Sequence, residues 1–208
     1  MFFVSKPEQF VPFLQVRSPD PATGKPDPEK LKAFSEANPD TTLQGAYLAK
    51  APVPASYGTV SYWSTNAFEF VNAKNESQFV RWQFAPEQGT LGLTEEQLKA
   101  LPDEFLADEL RKRVAASPVC YIFNLQLAEK DDVLTDPIRV WPDSRRVAPA
   151  GKLFIDKVES ALGGACDKIT FNPLVLPRGM KASADPVLNA RAAPYVISLG
   201  RRLTEAPQ

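Results

Sequence analysis

Hydrophobic and polar positions alternate with a period of two along the middle of the chain, between Thr59 and Phe84. Alternation of this kind is typical of a β-strand that buries one face. The turn-forming segment Asn72-Ala73-Lys74-Asn75 interrupts the run and predicts a hairpin. The residues that carry the alternation are Val60, Tyr62, Phe68, Phe70, Phe79, Arg81 and Gln83.

Helix start and stop signals place further elements around this hairpin. Thr94 is a predicted N-cap followed by two acidic residues, and a second helix is predicted to begin at Pro102-Asp103-Glu104. The apolar segment from Val119 to Gln126 predicts a buried strand. Other predictions are a strand over 2–4, helices from Pro7 to Leu14 and from Pro28 to Ala37, a loop over 131–153 and a strand over 153–158.

The candidate chemistry lies near the end of the chain. Asp185-Pro186 has the form of a helix start, in which a side-chain cap precedes a proline at the first helical position. A helix that continues from there places Arg191 and Tyr195 four residues apart on one face. A guanidinium beside a phenol favours the phenolate, which can bind ferric haem iron. The same spacing is common on surface helices, so the pair alone leaves a purely structural interpretation open.

The segments around this pair carry a family resemblance. The frame Phe171-Asn172-Pro173, Pro177-x-Gly179, Ser183-x-Asp185-Pro186-x-Leu188 and Arg191-x-x-x-Tyr195 resembles the proximal-ligand segment of haem catalases. The ending Ala190-Arg191-x-x-x-Tyr195-x-x-Ser198, followed by Arg201-Arg202, is more similar to the short catalase-related peroxidases. The resemblance covers nearly the whole chain, from Phe2 to Arg202.

The resemblance implies an α+β fold over residues 1–208 as one domain, with flanking helices and an antiparallel catalase-like β-barrel that is incomplete here. It implies haem as the cofactor, Tyr195 as the iron ligand and Arg191 as the charge partner of that tyrosine. Arg202 is expected to pair with a haem propionate, Phe2 to line the distal pocket and Phe10 to stack on a haem edge. From composition alone, Phe2 and Phe10 are ordinary core residues.

Three features depart from the family pattern. Pro194 directly precedes the tyrosine, where its missing N–H removes a helical hydrogen bond and predicts a kink. The Pro-Asp-Thr that follows the tyrosine in large catalases is absent. Val140-Trp141-Pro142 is similar to an element near the nicotinamide-cofactor site of large catalases. Those enzymes use a histidine there and this chain has none, so that function is not carried over.

Composition narrows the classes of function. Lys and Arg number 24 against 25 Asp and Glu, so a net charge of −1 gives no electrostatic case for nucleic acid. The sequence contains no run of eighteen apolar residues, so it predicts no membrane-spanning helix. The two cysteines, Cys120 and Cys166, are predicted to be buried apolar residues that form no disulfide. The sequence contains no histidine, which excludes catalytic triads and histidine acid–base chemistry from this chain.

The implied function is a haem-dependent peroxidase that reduces hydrogen peroxide or organic peroxides with an unidentified electron donor, in defence against oxidative stress. In the family, a histidine and an asparagine N-terminal to the start of this chain act on the bound peroxide, and such proton transfer contributes about 10²–10⁴ in rate. No catalytic residue is therefore identified here. We expect the chain to be the C-terminal part of a longer peroxidase.

Other interpretations stay open at this stage. The chain is alternatively a short haem protein without efficient peroxide chemistry, or a remnant that no longer binds haem. The competing functional class is a non-enzymatic barrel that binds haem or another apolar ligand, and the third is an interaction module without a ligand. Homo-oligomerisation is open, as is the choice between a cytoplasmic and a periplasmic location for a soluble chain.

Overall fold

An antiparallel sheet is the framework of the computed structural model, which describes residues 1–160 and 163–205. Its order is β5-β4-β3-β2-β6, and β1 pairs with β3 beside this path. The strands are β1 (Tyr62–Trp63), β2 (Phe68–Val71), β3 (Ser77–Pro86), β4 (Val119–Leu127), β5 (Val147–Ile155) and β6 (Met180–Ala182).

The predicted hairpin is confirmed as β2 and β3. Phe68 lies opposite Val80 and Val71 lies opposite Ser77. The turn between them includes Asn75, whose φ of 61° is a left-handed conformation that asparagine tolerates better than most residues. The predicted buried strand from Val119 is confirmed as β4, which pairs with β3 on one side and β5 on the other.

The two ends of the sheet are β5 and β6, and within the described ranges these strands do not pair with each other. The sheet is therefore not closed. This confirms the expected α+β fold with an incomplete antiparallel barrel. Long edge strands such as β5 expose unpaired backbone N–H and C=O groups.

The helices flank this sheet and follow the predicted start signals closely. Asp27 caps the helix that begins at Pro28, and Thr94 forms a capping box with Gln97. The helix predicted from Pro102 begins three residues later, at Phe105. The helices are α1 (Pro7–Gln15), α2 (Pro28–Ala37), α3 (Leu43–Leu48), α4 (Glu95–Lys99), α5 (Phe105–Ala116), α6 (Pro186–Ala190) and α7 (Ala192–Thr204).

Two strand predictions are wrong. Residues 2–4 form no strand: the Phe2 N–H donates to the Pro137 carbonyl at 2.9 Å, a contact without a ladder around it. Strand β5 begins at Val147, within the predicted loop, and ends at Ile155 rather than at residue 158. Pro149 and Gly151 suggest a loop locally, but pairing with β4 overrides them, and a register shift between Phe123 and Asn124 accommodates the irregular strand.

A hydrophobic core lies between α5 and the sheet, where Val114, Val119 and Tyr121 are buried against Phe84, Leu110, Ile155 and Val158. Both cysteines are free, as predicted, but their predicted burial is wrong. Cys120 is half-buried and Cys166 is exposed, in a short 3-10 helix over Ala165–Lys168. Among the described residues, none of the helices has the length and apolar character needed to cross a bilayer.

Candidate functional site

Arg191 and Tyr195 are in direct contact at the junction of α6 and α7. The Arg191 Nη2 donates to the Tyr195 hydroxyl oxygen over 2.7 Å, and the guanidinium carbon lies 5.4 Å from the centroid of the phenol ring. Within the described residues, the tyrosine hydroxyl accepts this hydrogen bond and donates none. The hydroxyl oxygen of Tyr195 therefore lies at hydrogen-bond distance from a permanently charged guanidinium.

The helix that begins after Asp185 is broken before it reaches the tyrosine: α6 ends at Ala190 and α7 begins at Ala192. The break lies one turn before Pro194, the residue at which the sequence predicts a kink. Pro194 has no N–H to donate to the Ala190 carbonyl, four residues earlier. Arg191 still keeps helical backbone angles (φ −68°, ψ −24°). The spacing of four residues therefore still places the guanidinium beside the phenol.

Asn66 and Asp185 connect Arg191 to the sheet. The Asn66 Oδ1 accepts a hydrogen bond from Arg191 Nη1 at 3.2 Å, and its Nδ2 donates to Asp185 Oδ2 at 2.8 Å. Asp185 also accepts from the backbone N–H groups of Val187 at 2.8 Å and Leu188 at 3.3 Å, as the N-cap of α6. A single chain of hydrogen bonds thus runs from the buried helix cap to the half-buried tyrosine.

Sequence reasoning did not find Asn66, and it identified Asp185 only as a helix cap. Asn66 is 125 positions from Arg191 along the chain, and the residues next to it in sequence give no indication of the contact. Asn66 is 3% exposed and Asp185 0% exposed. Burial raises the pKa of the Asp185 carboxyl, with the hydrogen bonds from Asn66 and the helix N-terminus acting in the opposite direction.

Phe2 and Phe10 lie on the same side of the molecule as this pair. The Phe2 ring centroid is 5.8 Å from the guanidinium carbon of Arg191, within cation–π distance. Phe10, on α1, lies 6.5 Å from Phe2, and the Phe3 ring packs against both at 4.3 and 5.2 Å. The structure thus brings Phe2 to the Arg191–Tyr195 pair and places Phe10 behind it.

Arg202 lies seven residues beyond Tyr195 on α7, and in the described ranges it makes no hydrogen bond to Tyr195 or Arg191. Its Nε donates to the Ser198 carbonyl at 3.4 Å and its Nη2 to the Ile169 carbonyl at 3.2 Å. Its guanidinium carbon is 6.0 Å from the Phe171 ring centroid. Arg202 therefore lies towards the other end of α7, with partners of its own.

A family model described as catalase matches residues 1–206. The chain belongs to the catalase family. The resemblance predicted from the Arg191-x-x-x-Tyr195 frame is thereby confirmed.

The chain is 40% identical over 202 residues to a catalase-related peroxidase of Synechococcus elongatus. The match spans 97% of this chain and 60% of that protein. It is 29% identical to a catalase-related peroxidase of Mycolicibacterium paratuberculosis, covering 95% of itself and 62% of the relative. A Streptomyces coelicolor catalase is 26% identical and is covered over 42% of its length. The chain thus spans about 60% of the two catalase-related peroxidases.

Solved catalase structures share the fold. Catalase A from Saccharomyces cerevisiae superposes with a TM-score of 0.83 at 20% identity, over 97% of this chain and 44% of that one. A fungal catalase gives the same TM-score at 22% identity, over 97% and 43%. At these identities the likeness supports the sheet and helix arrangement alone.

Proposed function

We propose that this member of the catalase family binds haem through Tyr195 and takes part in the reduction of peroxide. The observation that supports the proposal best is the 2.7 Å hydrogen bond from Arg191 to the Tyr195 hydroxyl oxygen, held in place by Asn66. Relatives described as catalase-related peroxidase support peroxide as the substrate. We further propose that residues 1–208 act as one catalase-like core domain, since one sheet joins strands from Tyr62 to Ala182 and α1, near the start of the chain, contacts α6 near its end.

The residues at the site fit a ferric haem. Tyr195 offers a hard oxygen donor, Arg191 places a positive charge beside that oxygen, and the Phe2 ring offers an apolar wall beside them. We assign Phe10 to the support of Phe2 and to a haem edge, and Arg202 to a propionate. For Arg202 this requires exchange of its present carbonyl partners for a carboxylate, which is the stronger acceptor.

When bound, a tyrosinate-ligated haem supplies the oxidation–reduction chemistry at the peroxide O–O bond. The chain's own residues would hold and orient the group: Tyr195 would bind the iron, Arg191 would hold the phenolic oxygen by its hydrogen bond, and Phe2 would exclude water from one side. Proton transfer to the peroxide needs a group with a matched pKa on the opposite face. The sequence has no histidine for this role, so we assign no catalytic residue within it. The electron donor and a role against oxidative stress belong to the proposal for the whole protein.

The test is a haemin titration followed by absorbance, on the chain and on Tyr195→Phe. A saturable Soret shift with a tyrosinate-type high-spin spectrum is expected for the chain and its loss for the variant, because phenylalanine keeps the ring and removes the ligand oxygen. Tyr62→Phe is the matched control, since its hydroxyl donates to the Tyr57 carbonyl at 2.9 Å, in a separate cluster. A Soret shift equally strong in Tyr195→Phe contradicts the proposal.

The absence of histidine from the chain favours a second candidate function, a barrel that binds haem or another apolar ligand without peroxide turnover. The two candidates separate in a single assay. Haem-loaded chain is mixed with hydrogen peroxide and a reducing dye, with and without added imidazole as a substitute proton acceptor. Turnover in either mixture supports the enzyme, and haem binding with no turnover in both supports the binding protein.

A further inference from the structure

Arg81 is a buried charge in the middle of β3, on the side of the sheet that faces residues 136–141. It is only 7% exposed, and within the described ranges it forms no ion pair within 4 Å of a carboxylate. A buried guanidinium without such a pair is destabilising unless its N–H groups are hydrogen-bonded. The partners that Arg81 does have are therefore informative.

All of these partners belong to the 136–141 loop. Arg81 Nη1 donates to the Arg139 carbonyl and Nη2 donates to the Asp136 carbonyl at 3.2 Å. The guanidinium carbon lies 4.6 Å from the centroid of the Trp141 ring. The fork geometry of arginine suits two carbonyls at once, which lysine cannot reproduce. Arg81 thus fixes the loop to the sheet at three points.

The same loop holds the start of the chain. The Pro137 carbonyl accepts the Phe2 N–H at 2.9 Å, and Pro137 and Ile138 are buried. The Phe2 ring is in turn 5.8 Å from Arg191. A continuous path of contacts therefore leads from Arg81 through the loop to Phe2 and on to the partner of Tyr195.

A second, electrostatic link runs from Arg81 to the other side of the site. Burial lowers the pKa of Arg81, while the carboxylates of Asp185, Asp136 and Asp132 act in the opposite direction. Asp185 is the carboxylate that holds Asn66 against Arg191. Arg81 thus contacts the loop that carries Phe2, and a carboxylate of the network that carries Arg191 influences its pKa.

We propose that Arg81 is a positioning residue for the haem site, which fixes Phe2 against Arg191 through the 136–141 loop. The proposal deepens the proposed function and rests on it for the haem itself. The positioning of Phe2 does not depend on haem. The two parts can therefore be tested separately.

The first measurement is hydrogen–deuterium exchange on the full chain, before and after addition of haemin, for peptides covering 1–13 and 131–141. Arg81→Lys keeps the positive charge and removes the planar guanidinium that donates to two carbonyls at once. We expect faster exchange in both peptides before haemin is added. Arg145→Lys is the matched control. Arg145 forms ion pairs with Asp132 at 2.8 Å and Glu129 at 2.9 Å, next to the 136–141 loop, and its side chain makes no hydrogen bond to the carbonyls of that loop among the described residues. It is expected to leave peptide 1–13 unchanged.

The second measurement is the rate at which haemin leaves the loaded chain. We expect about a tenfold increase in Arg81→Lys, corresponding to the loss of one charge-assisted hydrogen bond, with the tyrosinate-type spectrum retained. Retention of that spectrum shows that Tyr195 still binds the iron and that only the Phe2 side of the site has changed. Trp141→Phe, which weakens the contact beneath the guanidinium, is expected to change both measurements in the same direction by less.

The outcomes are distinct. Unchanged exchange in peptide 1–13 of Arg81→Lys, or an equal change in Arg145→Lys, overturns the positioning of Phe2. Faster exchange with an unaltered haemin off-rate overturns its role in the haem site. If Arg81→Lys does not fold, Trp141→Phe decides both points by the same criteria. Failure of the unmodified chain to bind haemin rejects the proposed function and with it the haem part of this inference, and the exchange data still decide the rest.

Discussion

Asp27 and Asp185 begin helices with the same dipeptide, Asp-Pro, in opposite surroundings. Asp27 accepts the N–H groups of Glu29 and Lys30 at 3.0 and 3.3 Å at the surface, with the Lys30 ammonium 3.4 Å away. Asp185 accepts two N–H groups in the same way, but it is fully buried and also binds a side chain 119 positions earlier. The two carboxylates are equivalent as helix caps and differ in their burial and in their other partners.

The two pKa values move in opposite directions for this reason. Backbone hydrogen bonds, that of Lys30 first, lower the pKa of Asp27. Burial raises the pKa of Asp185. The local motif therefore determines where each helix starts, whereas the tertiary environment determines whether the cap also carries a functional network. In α6 it does, because Asn66 connects the cap to Arg191 and hence to Tyr195.

The largest expected difference is in stability. Asp185→Ala removes a cap, worth about 1 kcal/mol, and leaves the buried amide of Asn66 without its acceptor, worth about 1–3 kcal/mol. We therefore expect the free energy of unfolding to fall by about 2–4 kcal/mol. Asp27→Ala removes only the exposed cap and should lower it by distinctly less. Urea unfolding of both variants at pH 7 measures the difference, and equal losses would show that the Asn66 contact contributes nothing.

The sequence predicts those parts of the site that are local. The Asp-Pro cap, the four-residue spacing of Arg191 and Tyr195, and the α2 start all depend on neighbours along the chain, so periodicity and capping rules find them. Asn66 was not found because its partners are more than a hundred positions away. Strand β5 was not found because Pro149 and Gly151 favour a loop locally and only pairing with β4 makes the segment a strand.

The second expected difference concerns Asn66, the residue that makes the α6 cap unlike the α2 cap. Asn66→Ala leaves one oxygen of Asp185 without its donor and frees Arg191 Nη1, so only the hydrogen bond from Nη2 to Tyr195 still holds the guanidinium. We expect a loss of about 1–3 kcal/mol in stability and a haemin affinity reduced about tenfold. Calorimetric unfolding and the Soret titration measure the two effects.

Asn124→Ala is the matched control for this variant. Asn124 is a half-buried asparagine of β4, whose Nδ2 donates to Gln83 Oε1 at 3.4 Å and which makes no hydrogen bond to the Arg191 network among the described residues. It should leave haemin affinity unchanged. A similar decrease in both variants would mean that Asn66 acts through general stability and not through its hydrogen bond to Arg191.

The smallest expected effect is in the pH dependence of stability, where the two caps should differ in sign. A raised native pKa means that the folded state binds the proton more tightly, so the contribution of Asp185 falls as pH rises from 3.8, the ordinary value, through its native pKa. The lowered pKa of Asp27 gives the reverse, a contribution lost as pH falls from 3.8 through its native pKa.

Replacement of each carboxylate by its neutral amide isolates these slopes. Relative to the unmodified chain, Asp185→Asn should gain stability as pH rises above 3.8, whereas Asp27→Asn should gain stability only as pH falls below it. Each variant also has a constant offset, larger for Asp185→Asn because Asn66 then faces a second amide donor, but an offset does not alter a slope. Unfolding curves measured between pH 3 and 7 separate the constant offset from the slope of stability against pH. Slopes of the same sign would mean that Asp185 is ionised in the folded chain as readily as a surface carboxylate, and that its burial does not control its charge.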